Sequence, residues 1–401
     1  MIPRLPRRAA ALGLLALACR APAQIPAAPD LSMAPDAELV ARRVDAGRVR
    51  TAIEGVLNRA HRDSAFSGAV AVVGSRSGVV ASAAVGRLDW APSAATVDAG
   101  TMWDLASLTK VVGLTSAMMQ LVAAGRVDLD APVQRYVPGF VGDGKDKVRV
   151  ADLLSHSSGL PAWRPLYKES ETRAAAIQLA LSTPLEAPTR TRMVYSDLGA
   201  IVLGQVVERV SGRAFDAYLQ AELFGPLGMR HTMFRPPSGM LGHVAFTELD
   251  PWRQRHLHGE VHDENAARLD GVSSHAGLFS SAADLSRFAR MLLGYGRFEG
   301  RQVLDSATIV RFTRTFDRSI SPRGLGWETA TGTNSGGRKL SGRAFGHTGF
   351  TGTSIWVDPE KDLFVILLTN RVNPTRENRK IGDVRIGLAD AVVDAWGGNG
   401  R

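Results

Sequence analysis

The chain has 401 residues, of which 45% are apolar and 22% are charged. These values are ordinary for a compact globular protein and argue against a disordered or membrane-embedded chain. The net charge is +9, and four arginines precede Gln24, so the rest of the chain carries +5. Because the remaining arginines are interleaved with acidic residues and no basic run is paired with aromatic residues, we predict no nucleic-acid partner.

The first 23 residues have the pattern of an export signal. Three arginines precede an apolar run from Ala9 to Ala18, and Ala21-Pro22-Ala23 supplies small residues for cleavage before Gln24. The run is too short to span a bilayer, and no later segment has about 18 uninterrupted apolar residues, so we expect no transmembrane segment. We therefore expect an exported protein, either periplasmic or secreted.

Cys19 leaves a second outcome open for the N-terminus. It is the only cysteine, and the residues Leu15-Ala16-Leu17-Ala18 before it loosely resemble a lipoprotein cleavage box, with Ala in place of Leu three residues upstream. Plain cleavage after Ala23 and a lipid anchor at Cys19 both fit this pattern. In either case the exported domain has no internal disulfide.

Residues 24–40 are rich in Ala, Pro and Asp and predict a flexible linker, followed by a domain over 41–398. Helical periodicity over 41–62 leads into a hairpin of strands 69–73 and 79–85. A second hairpin, 353–357 and 363–369, is followed by a helix over about 380–396. The signals between about 107 and 293 are mostly helical, as in 111–124 and 283–293. We predict an α/β protein of the α+β type, an antiparallel sheet flanked by N- and C-terminal helices with an inserted helical subdomain.

Ser107-Leu108-Thr109-Lys110 stands at the start of a strongly helical segment. Residues three apart lie on one face of a helix, so the hydroxyl and the amine are neighbours. A serine hydroxyl needs a nearby base to become a nucleophile, and Lys110 could be that base or could position it. The motif by itself is weak evidence, because a random sequence of this composition contains on average about 0.5 Ser-x-x-Lys matches.

Tyr195-Ser196-Asp197 precedes a second apolar helix. A phenol held near cations can take and return a proton, so Tyr195 is a candidate general base for Ser107 and a later acid for the leaving group. The third element is His347-Thr348-Gly349-Phe350, just before the strand near residue 353. His347 and Thr348 could bind a substrate carboxylate or carbonyl, and Gly349 lets the backbone pass close to the ligand. The amides of Phe350 and Ser107 could form an oxyanion hole.

The order and context of these motifs resemble the serine β-lactamase and penicillin-recognising family, in particular its class C β-lactamase, DD-peptidase and family VIII esterase branch. The resemblance covers about residues 41–396. The residues that carry it are Trp103-Asp104-Leu105-Ala106-Ser107-Leu108-Thr109-Lys110, Leu153-Leu154-Ser155-His156-Ser157-Ser158-Gly159-Leu160, Tyr195-Ser196-Asp197, His275-Ala276-Gly277-Leu278-Phe279-Ser280 and His347-Thr348-Gly349. The resemblance implies that Ser107 is acylated, with Lys110 beside it and Tyr195 as the base. It also implies that Thr348 and the Phe350 backbone form the opposite wall of the site.

Two positions depart from the family pattern. Asp197 stands where the second motif often has Asn, which could disfavour anionic substrates or lead the carboxyl to take up a proton. His347 stands where many β-lactamases have Lys, as in DD-peptidases and D-aminopeptidases of the same fold. These departures favour an esterase or a D-amino-acid peptidase over a dedicated β-lactamase. Arg371, after the last strand, could supply the cation that His347 lacks at neutral pH, or could form a structural salt bridge.

Other site types are less favoured. His256, His258, His262 and Asp263 lie close in sequence, but their spacing fits no familiar ligand pattern, so we predict exposed loop residues and no metal. His156 and His275 are expected to support loops through hydrogen bonds. We find no Gly-x-Ser-x-Gly elbow, phosphate loop or dinucleotide fingerprint, and we predict no cofactor. A small-molecule or peptidoglycan-like substrate is expected. The alternative is a binding module without turnover, such as a penicillin-recognising sensor or a cell-wall scaffold.

Overall fold

The computed structural model describes residues 44–332 and 334–397. Its strands are β1 Gly68–Ser75, β2 Gly78–Gly86, β3 Met102–Asp104, β4 Met233–Phe234, β5 Phe246–Asp250, β6 Arg255–His258, β7 Leu278–Ser281, β8 Arg297–Phe298, β9 Arg301–Gln302, β10 Glu328–Thr329, β11 Phe345–Thr348, β12 Ser354–Asp358 and β13 Leu363–Thr369. The predicted signal segment, Cys19 and the linker 24–40 lie outside the described residues.

The α-helices of the described chain are α1 Ala46–Arg62, α2 Ser116–Ala123, α3 Val150–Leu154, α4 Leu166–Glu169, α5 Arg173–Ser182, α6 Asp197–Ser211, α7 Phe215–Leu219, α8 Gly225–Leu227, α9 Glu264–Arg268, α10 Ala282–Leu293, α11 Ser306–Thr313 and α12 Ile381–Trp396. Two π-helical segments, Lys110–Thr115 and Gln220–Phe224, precede α2 and α8, and short 3₁₀ segments span Val133–Arg135, Lys145–Lys147 and Ser238–His243. None of the described helices combines the length and apolar character that a bilayer span requires.

A six-stranded antiparallel sheet joins the two ends of the described chain. Its strand order is β10-β11-β12-β13-β1-β2. β1 pairs with β13, so that Ala69 lies opposite Thr369. Both predicted hairpins are present as β1–β2 and β12–β13, and each strand begins and ends within two residues of its predicted bounds. The sheet therefore confirms that the first and last parts of the domain fold together.

Both faces of this sheet are covered, which explains why every residue of β1 is buried. Ala69, Ala71 and Val73 face one side because side chains alternate across a strand, and they pack with the terminal helices α1 and α12. The residues between them face the larger core on the other side, which includes α10. The predicted fold class, an antiparallel sheet flanked by N- and C-terminal helices, is confirmed.

Helix α1 begins at Ala46, later than the residue 41 expected from periodicity. The Asp45 side chain accepts a hydrogen bond from the Arg48 amide (3.0 Å) and caps the helix. An aspartate at this position satisfies an amide that has no partner inside the helix, which fixes the start of the helix.

The region predicted as a helical insertion also contributes β4 and β7 to a small sheet, whose third strand, β3, precedes the region. β3, β7 and β4 form three antiparallel strands in that order, and helices pack around them. β3 and β4 are only three and two residues long, too short to give an alternating pattern in the sequence. Helix α10, within the predicted insertion of about 107–293, packs against β1 and β13 of the main sheet. The bounds of the insertion remain a prediction.

Candidate active site

Ser107 lies in a tight turn between β3 and the π-helical segment that begins at Lys110. Ala106 before it has φ of 45°, a left-handed conformation that is uncommon for a residue with a side chain. The Asp104 carboxylate holds this turn, because it accepts from the amides of Ala106 (2.8 Å) and His262 (2.6 Å). The strained turn carries Ser107 to the end of β3, one helical turn from Lys110.

Lys110 is almost completely buried, and its ammonium contacts three oxygen atoms. Nζ donates to Ser107 Oγ (3.0 Å) and to the His275 carbonyl (2.9 Å), and it forms an ion pair with Asp197 Oδ1 (2.7 Å). Burial alone would lower the pKa of Lys110, but the attraction of Asp197 and Tyr195 outweighs it, so the pKa is raised above its ordinary value. Lys110 therefore carries its proton at neutral pH and donates to Ser107.

The start of helix α6 fixes the second motif. The Ser196 side chain caps the helix by accepting from the Gly199 amide (3.2 Å), and the Asp197 amide donates to the Ala162 carbonyl (2.9 Å). These bonds leave Tyr195 just before the helix and Asp197 in its first turn. The sequence-predicted residues Ser107, Lys110, Tyr195 and Asp197 are thus brought together.

The Tyr195 ring lies beside Lys110, whose Nζ is 5.1 Å from the ring centroid. It packs against two histidine rings, with centroid distances of 4.6 Å to His156 and 5.7 Å to His347. The Tyr195 hydroxyl is buried and has no hydrogen-bond partner of good geometry within 44–332 and 334–397. Its position leaves the oxygen available to a reacting group.

The two histidines beside Tyr195 are neutral. His156 Nδ1 accepts from the Ser196 amide (3.1 Å), so that nitrogen carries no proton. His347 Nδ1 lies 2.8 Å from the Thr348 carbonyl and donates to it, which leaves Nε2 as an acceptor. Burial, together with the cations Arg323 and Lys110, holds the pKa of both histidines well below the usual range. His347 therefore supplies no positive charge at neutral pH, as the sequence suggested.

The end of β11 is joined to the segment that carries Ser107. Thr351 Oγ1 donates to the Asp104 carbonyl (2.6 Å), and Thr353 Oγ1 donates to the Leu105 carbonyl (3.0 Å). A Cβ at Gly349 would collide with Thr353 Oγ1 and the Leu105 carbonyl, so only glycine fits this close approach. Thr348, the last residue of β11, is half-buried. This junction sets the distance between the nucleophile and the opposite wall.

The two amides predicted as an oxyanion hole are free within the described chain. Neither Ser107 N nor Phe350 N donates a hydrogen bond to a described group. The Phe350 side chain is 49% exposed, and its ring packs on His262 at 5.6 Å. Both amides can therefore meet a ligand oxygen.

Arg371 lies beneath Phe350 and is only 5% exposed. Its Nε donates to the Phe350 carbonyl (2.6 Å), and its Nη1 donates to the carbonyls of Arg376 and Asn378 (both 2.8 Å). Among the described residues it forms no ion pair, so the salt bridge considered from the sequence is not made. Burial lowers the pKa of Arg371 to about 10. The side chain supports the Phe350 loop from below and does not present its charge to the cleft.

Arg323 is a residue of the site that sequence reasoning missed. Its guanidinium carbon lies 5.7 Å from the Tyr195 ring centroid, and only 11% of its side chain is exposed. Its carboxylate contact is with Glu328 at 4.0 Å, and its Nε has no partner of good geometry among the described residues. Burial lowers the pKa of Arg323. The only signal in the sequence is an arginine before Gly324-Leu325-Gly326, which does not by itself indicate a site.

His275 connects Lys110 to Asp263. Its ring is buried, with Nδ1 2.7 Å from Ser273 Oγ and Nε2 2.8 Å from Asp263 Oδ1. Although burial would raise the pKa of Asp263, its contact with His275 lowers it below the usual range. Both ring nitrogens are bonded, so the His275 carbonyl that Lys110 contacts is held in place. This agrees with the predicted supporting role of His275.

Asp197, Asp263 and His275 offer ligand atoms that all lie within 4.8 Å of one another. A metal ion there would face the Lys110 ammonium, which already contacts Asp197 at 2.7 Å. Two cations this close repel each other, so the lysine takes the place that a cation would need. The site therefore accommodates the Lys110 ammonium better than an additional metal ion.

The histidines that the sequence analysis considered as possible metal ligands have separate roles in the structure. His256 and His258 lie on β6 with their Nε2 atoms near the carbonyls of Thr247 (3.3 Å) and Val244 (3.0 Å). His262 is buried and pairs with Glu248 at 2.8 Å. The prediction that these are exposed loop residues is therefore wrong for all three histidines. His256 and His258 are half-buried on a strand, and His262 has in Glu248 a buried partner that sequence spacing could not indicate.

An antiparallel sheet with flanking helices, and a serine, lysine and tyrosine meeting at its edge, define the class of β-lactamase-like serine hydrolases. The chain matches the β-lactamase family over residues 40–389. It is 34% identical over 331 residues to a protein of Salmonella gallinarum named a D-alanyl-D-alanine carboxypeptidase, covering 74% of this chain and 76% of that protein. The protein belongs to the β-lactamase family, and it is a hydrolase.

Solved structures share the same fold at lower sequence identity. A class C β-lactamase is 18% identical with a TM-score of 0.72, covering 89% of this chain and 99% of the other. EstCE1, a hydrolase with promiscuous acyltransferase activity, is 21% identical with a TM-score of 0.71, covering 87% and 99%. These likenesses establish the fold, and the relatives confirm the resemblance that the motifs indicated.

Proposed function

We propose that Ser107 is the nucleophile of an exported D-amino-acid peptidase that also cleaves esters, and that Tyr195 is the general base. The observation that carries the proposal is the contact of Ser107 Oγ with a lysine that is ion-paired to Asp197. A lysine that keeps its proton cannot accept another from serine. The buried Tyr195 oxygen, ionised to a phenolate beside the Lys110 ammonium, is the group that we assign as the base.

The acylation step begins with Tyr195 as a phenolate, its own proton having passed to solvent, and the Ser107 proton moves to this phenolate oxygen. Ser107 Oγ then attacks the substrate carbonyl, and the cations Lys110 and Arg323 stabilise negative charge that develops near them. The carbonyl oxygen becomes an oxyanion bound by the amides of Ser107 and Phe350. When the tetrahedral intermediate collapses, the bond to the leaving group breaks and Tyr195 returns the proton to that group. The product is an acyl ester on Ser107.

Deacylation repeats these steps with water. Tyr195 takes a proton from the water molecule, whose oxygen attacks the ester carbonyl, and the same two amides hold the second oxyanion. The Ser107 oxygen then leaves and recovers its proton through Tyr195. His156 and His347 both pack against the tyrosine ring, and we propose that they hold it where both proton transfers can occur.

The substrate proposed here is a peptide that ends in D-alanine, of the kind found in peptidoglycan. The Salmonella gallinarum relative supports this choice. Because Asp197 is paired with Lys110, its charge does not oppose an anionic substrate as the sequence alone allowed. Arg323 and the Thr348 hydroxyl are the groups proposed to bind the terminal carboxylate, a role that His347, being neutral, cannot fill with charge.

Ester hydrolysis is the second candidate activity. Trp163, which follows the Ala162 carbonyl that binds the Asp197 amide, and Phe350, which follows Gly349, are exposed aromatic side chains that favour substrates with an apolar part. The alternative of a binding module without turnover is disfavoured, because such a module has no need of both Ser107 and Tyr195 beside Lys110. Dedicated β-lactam hydrolysis is disfavoured because His347 is neutral where many β-lactamases carry Lys.

The test compares the parent with Ser107→Ala on a D-Ala-D-Ala peptide, p-nitrophenyl butyrate and nitrocefin. We expect the parent to release D-alanine and p-nitrophenol and to hydrolyse nitrocefin least efficiently. Ser107→Ala should lose at least about a thousandfold in kcat on each substrate that the parent turns over. Equal rates for the variant and the parent on every substrate would show that Ser107 is not the nucleophile.

Arg323→Gln separates the two substrate classes in the same assay. It should raise KM for the D-Ala-D-Ala peptide about tenfold or more, since a charge-assisted hydrogen bond to the carboxylate is lost. KM for p-nitrophenyl butyrate, which has no carboxylate, should change little. A similar increase for both substrates would assign Arg323 to general support of the site.

Export through residues 1–23 is part of the proposal. Intact-mass measurement of the protein from its native cell envelope distinguishes a chain that begins at Gln24 from a lipidated chain that begins at Cys19. A mass that retains residues 1–23 in full would contradict both forms of processing.

A further inference from the structure

Large apolar side chains are exposed on segments that lead to the catalytic residues. Trp163 is 45% exposed, Trp252 36% and Phe350 49%. Trp163 follows Ala162, whose carbonyl binds the Asp197 amide, and Phe350 follows Gly349 of the third motif. Single exposed apolar residues are common on protein surfaces, but a group of them beside a site marks a binding surface.

Three of the rings near the cleft form a continuous surface, which we call the aromatic platform: Trp163, Tyr167 and Trp252. The centroids of Trp163 and Tyr167 are 6.3 Å apart, and those of Tyr167 and Trp252 are 4.7 Å apart in an edge-to-face arrangement. Such geometry adds to the stability of the cluster beyond the area that it buries. The rings therefore present one apolar surface to a ligand.

Partly buried hydrogen bonds hold the platform at both ends. The Asn265 side chain accepts from the Tyr167 amide (3.0 Å) and donates to the Arg164 carbonyl (2.8 Å). Arg253, next to Trp252, donates to the carbonyls of Val261 (2.8 Å) and His262 (2.7 Å). A surface held in this way loses little conformational freedom when it binds an apolar group.

Both anchors lead to the catalytic residues. At one end, Ala162 precedes Trp163 and binds the Asp197 amide, and Asp197 contacts Lys110. At the other end, Asp263 follows His262 and binds His275, whose carbonyl contacts Lys110. The platform is therefore attached to the side of Lys110 that Asp197 and His275 occupy.

The leaving group lies on the opposite side in the proposed mechanism, because Tyr195 must protonate it and Arg323 lies over the Tyr195 ring. The part of the substrate that stays on Ser107 then extends toward Asp197 and the platform. Resting on the proposed function, we propose that the aromatic platform binds an apolar alkyl or aryl acyl group of the substrate.

The charges around the rings define the ligand further. Lys168 Nζ lies 5.5 Å from the Tyr167 ring, and the guanidinium carbons of Arg253 and Arg268 lie 5.5 and 5.8 Å from the Trp252 ring. These cations favour an apolar group of neutral or negative charge and disfavour a cationic acyl group. The acyl specificity is thus set by ring contact and by exclusion of positive charge.

The first test measures p-nitrophenyl acetate, butyrate and octanoate hydrolysis by the parent, Trp163→Ala, Trp252→Ala and the double variant. We expect kcat/KM for octanoate, relative to acetate, to fall about tenfold in each single variant and further in the double variant. Acetate is too short to reach the platform, so its kcat/KM should stay within about twofold. Trp163→Phe, which keeps an aromatic ring, should retain most of the octanoate preference.

Trp90→Ala is the matched control, because Trp90 is 38% exposed and stacks on His61 away from the platform. It should change neither ester. An unchanged octanoate-to-acetate ratio in the double variant overturns the platform proposal.

A binding measurement separates the platform from the catalytic proposal. Calorimetry with Ser107→Ala should show that N-octanoyl-D-alanine binds about tenfold or more tightly than N-acetyl-D-alanine, and that adding Trp163→Ala and Trp252→Ala removes the difference. This result requires no turnover, so it holds even where Ser107 fails as the nucleophile. Equal affinities of the two ligands for Ser107→Ala would overturn the platform proposal while leaving the ester assay to decide on Ser107.

Discussion

The two sides of the catalytic cleft differ in how their polar groups are paired. On the side of Asp197, the Lys110 ammonium forms an ion pair with Asp197 Oδ1, an atom that has no hydrogen bond of good geometry among the described residues. The same ammonium donates to the His275 carbonyl and to Ser107, and both nitrogens of the His275 ring are bonded. On the side of Tyr195, the phenol oxygen, His347 Nε2 and Arg323 Nε are all buried, and within the part of the chain that the structure describes none has a partner of good geometry.

This difference indicates which side of the cleft stabilises the site and which side is arranged to bind a ligand. Burying a polar atom without a partner costs about 1–3 kcal/mol. Groups that carry this cost in a native structure call for an explanation, and a substrate that completes their hydrogen bonds supplies one. The paired side fixes the nucleophile and its ammonium, whereas the unpaired side is arranged for the reacting atoms.

The largest effect expected from breaking the unpaired side comes from Tyr195→Phe. It removes the oxygen that exchanges the proton, so kcat on the best substrate should fall about 10²- to 10⁴-fold. The midpoint of thermal unfolding should not fall, because the deleted hydroxyl has no partner of good geometry in the described chain. Steady-state kinetics and thermal unfolding measure both quantities.

Tyr295→Phe, a change of the same kind on the segment after α10, is the control and should leave kcat unchanged. Near-normal kcat in Tyr195→Phe would make Lys110 the base. It would also show that the unpaired phenol is not a place for reacting atoms.

A smaller and pH-dependent effect is expected from breaking the paired side with Asp197→Asn. Without the carboxylate, the largest attraction that opposes burial is lost, so the pKa of Lys110 falls from its raised value. If the ammonium is the active form, the alkaline limb of the pH–kcat profile moves to lower pH, and kcat near pH 7 falls about tenfold. A pH profile of ester hydrolysis from pH 6 to 11 measures the shift.

Asp394→Asn breaks the exposed ion pair with Lys339 and serves as the control, since exposed pairs contribute little. An Asp197→Asn profile that superimposes on the parent would show that the ion pair does not keep Lys110 charged. The two sides of the cleft would then not differ in the way described.

Much of this arrangement could be predicted from the sequence, because it depends on local spacing or on regular patterns. Ser107 and Lys110 are three residues apart on a helical turn, and Ser196 is a helix cap, so their neighbourhood follows from short-range geometry. The two hairpins follow from alternating strands and turn residues. The ordered motifs then brought Tyr195 and His347 into the same site through resemblance to a family.

What the sequence could not predict depends on contacts between distant segments. Arg323 reaches Tyr195 from a loop with no motif, and Arg371 turns beneath Phe350 because three carbonyls meet there. His262 is buried only because Glu248 lies opposite it. No local pattern encodes such pairings, since each one depends on how the elements between them pack.

The smallest expected effect concerns the charge of the unpaired side at low pH. His156 and His347 have folded-state pKa values well below 6.5, so between those values and 6.5 the unfolded chain binds more protons than the folded one. The free energy of unfolding should therefore fall as the pH is lowered from 7 to 5, by up to about 1.4 kcal/mol per pH unit for each histidine. Urea unfolding at pH 5, 6 and 7 measures this slope.

His347→Asn should reduce the slope by one histidine's share, whereas His243→Asn, at an exposed position, should not. A parent slope equal to that of His347→Asn would show that His347 takes up a proton without cost in the folded protein, and the side of the cleft that contains Tyr195 would then carry a further cation below neutral pH.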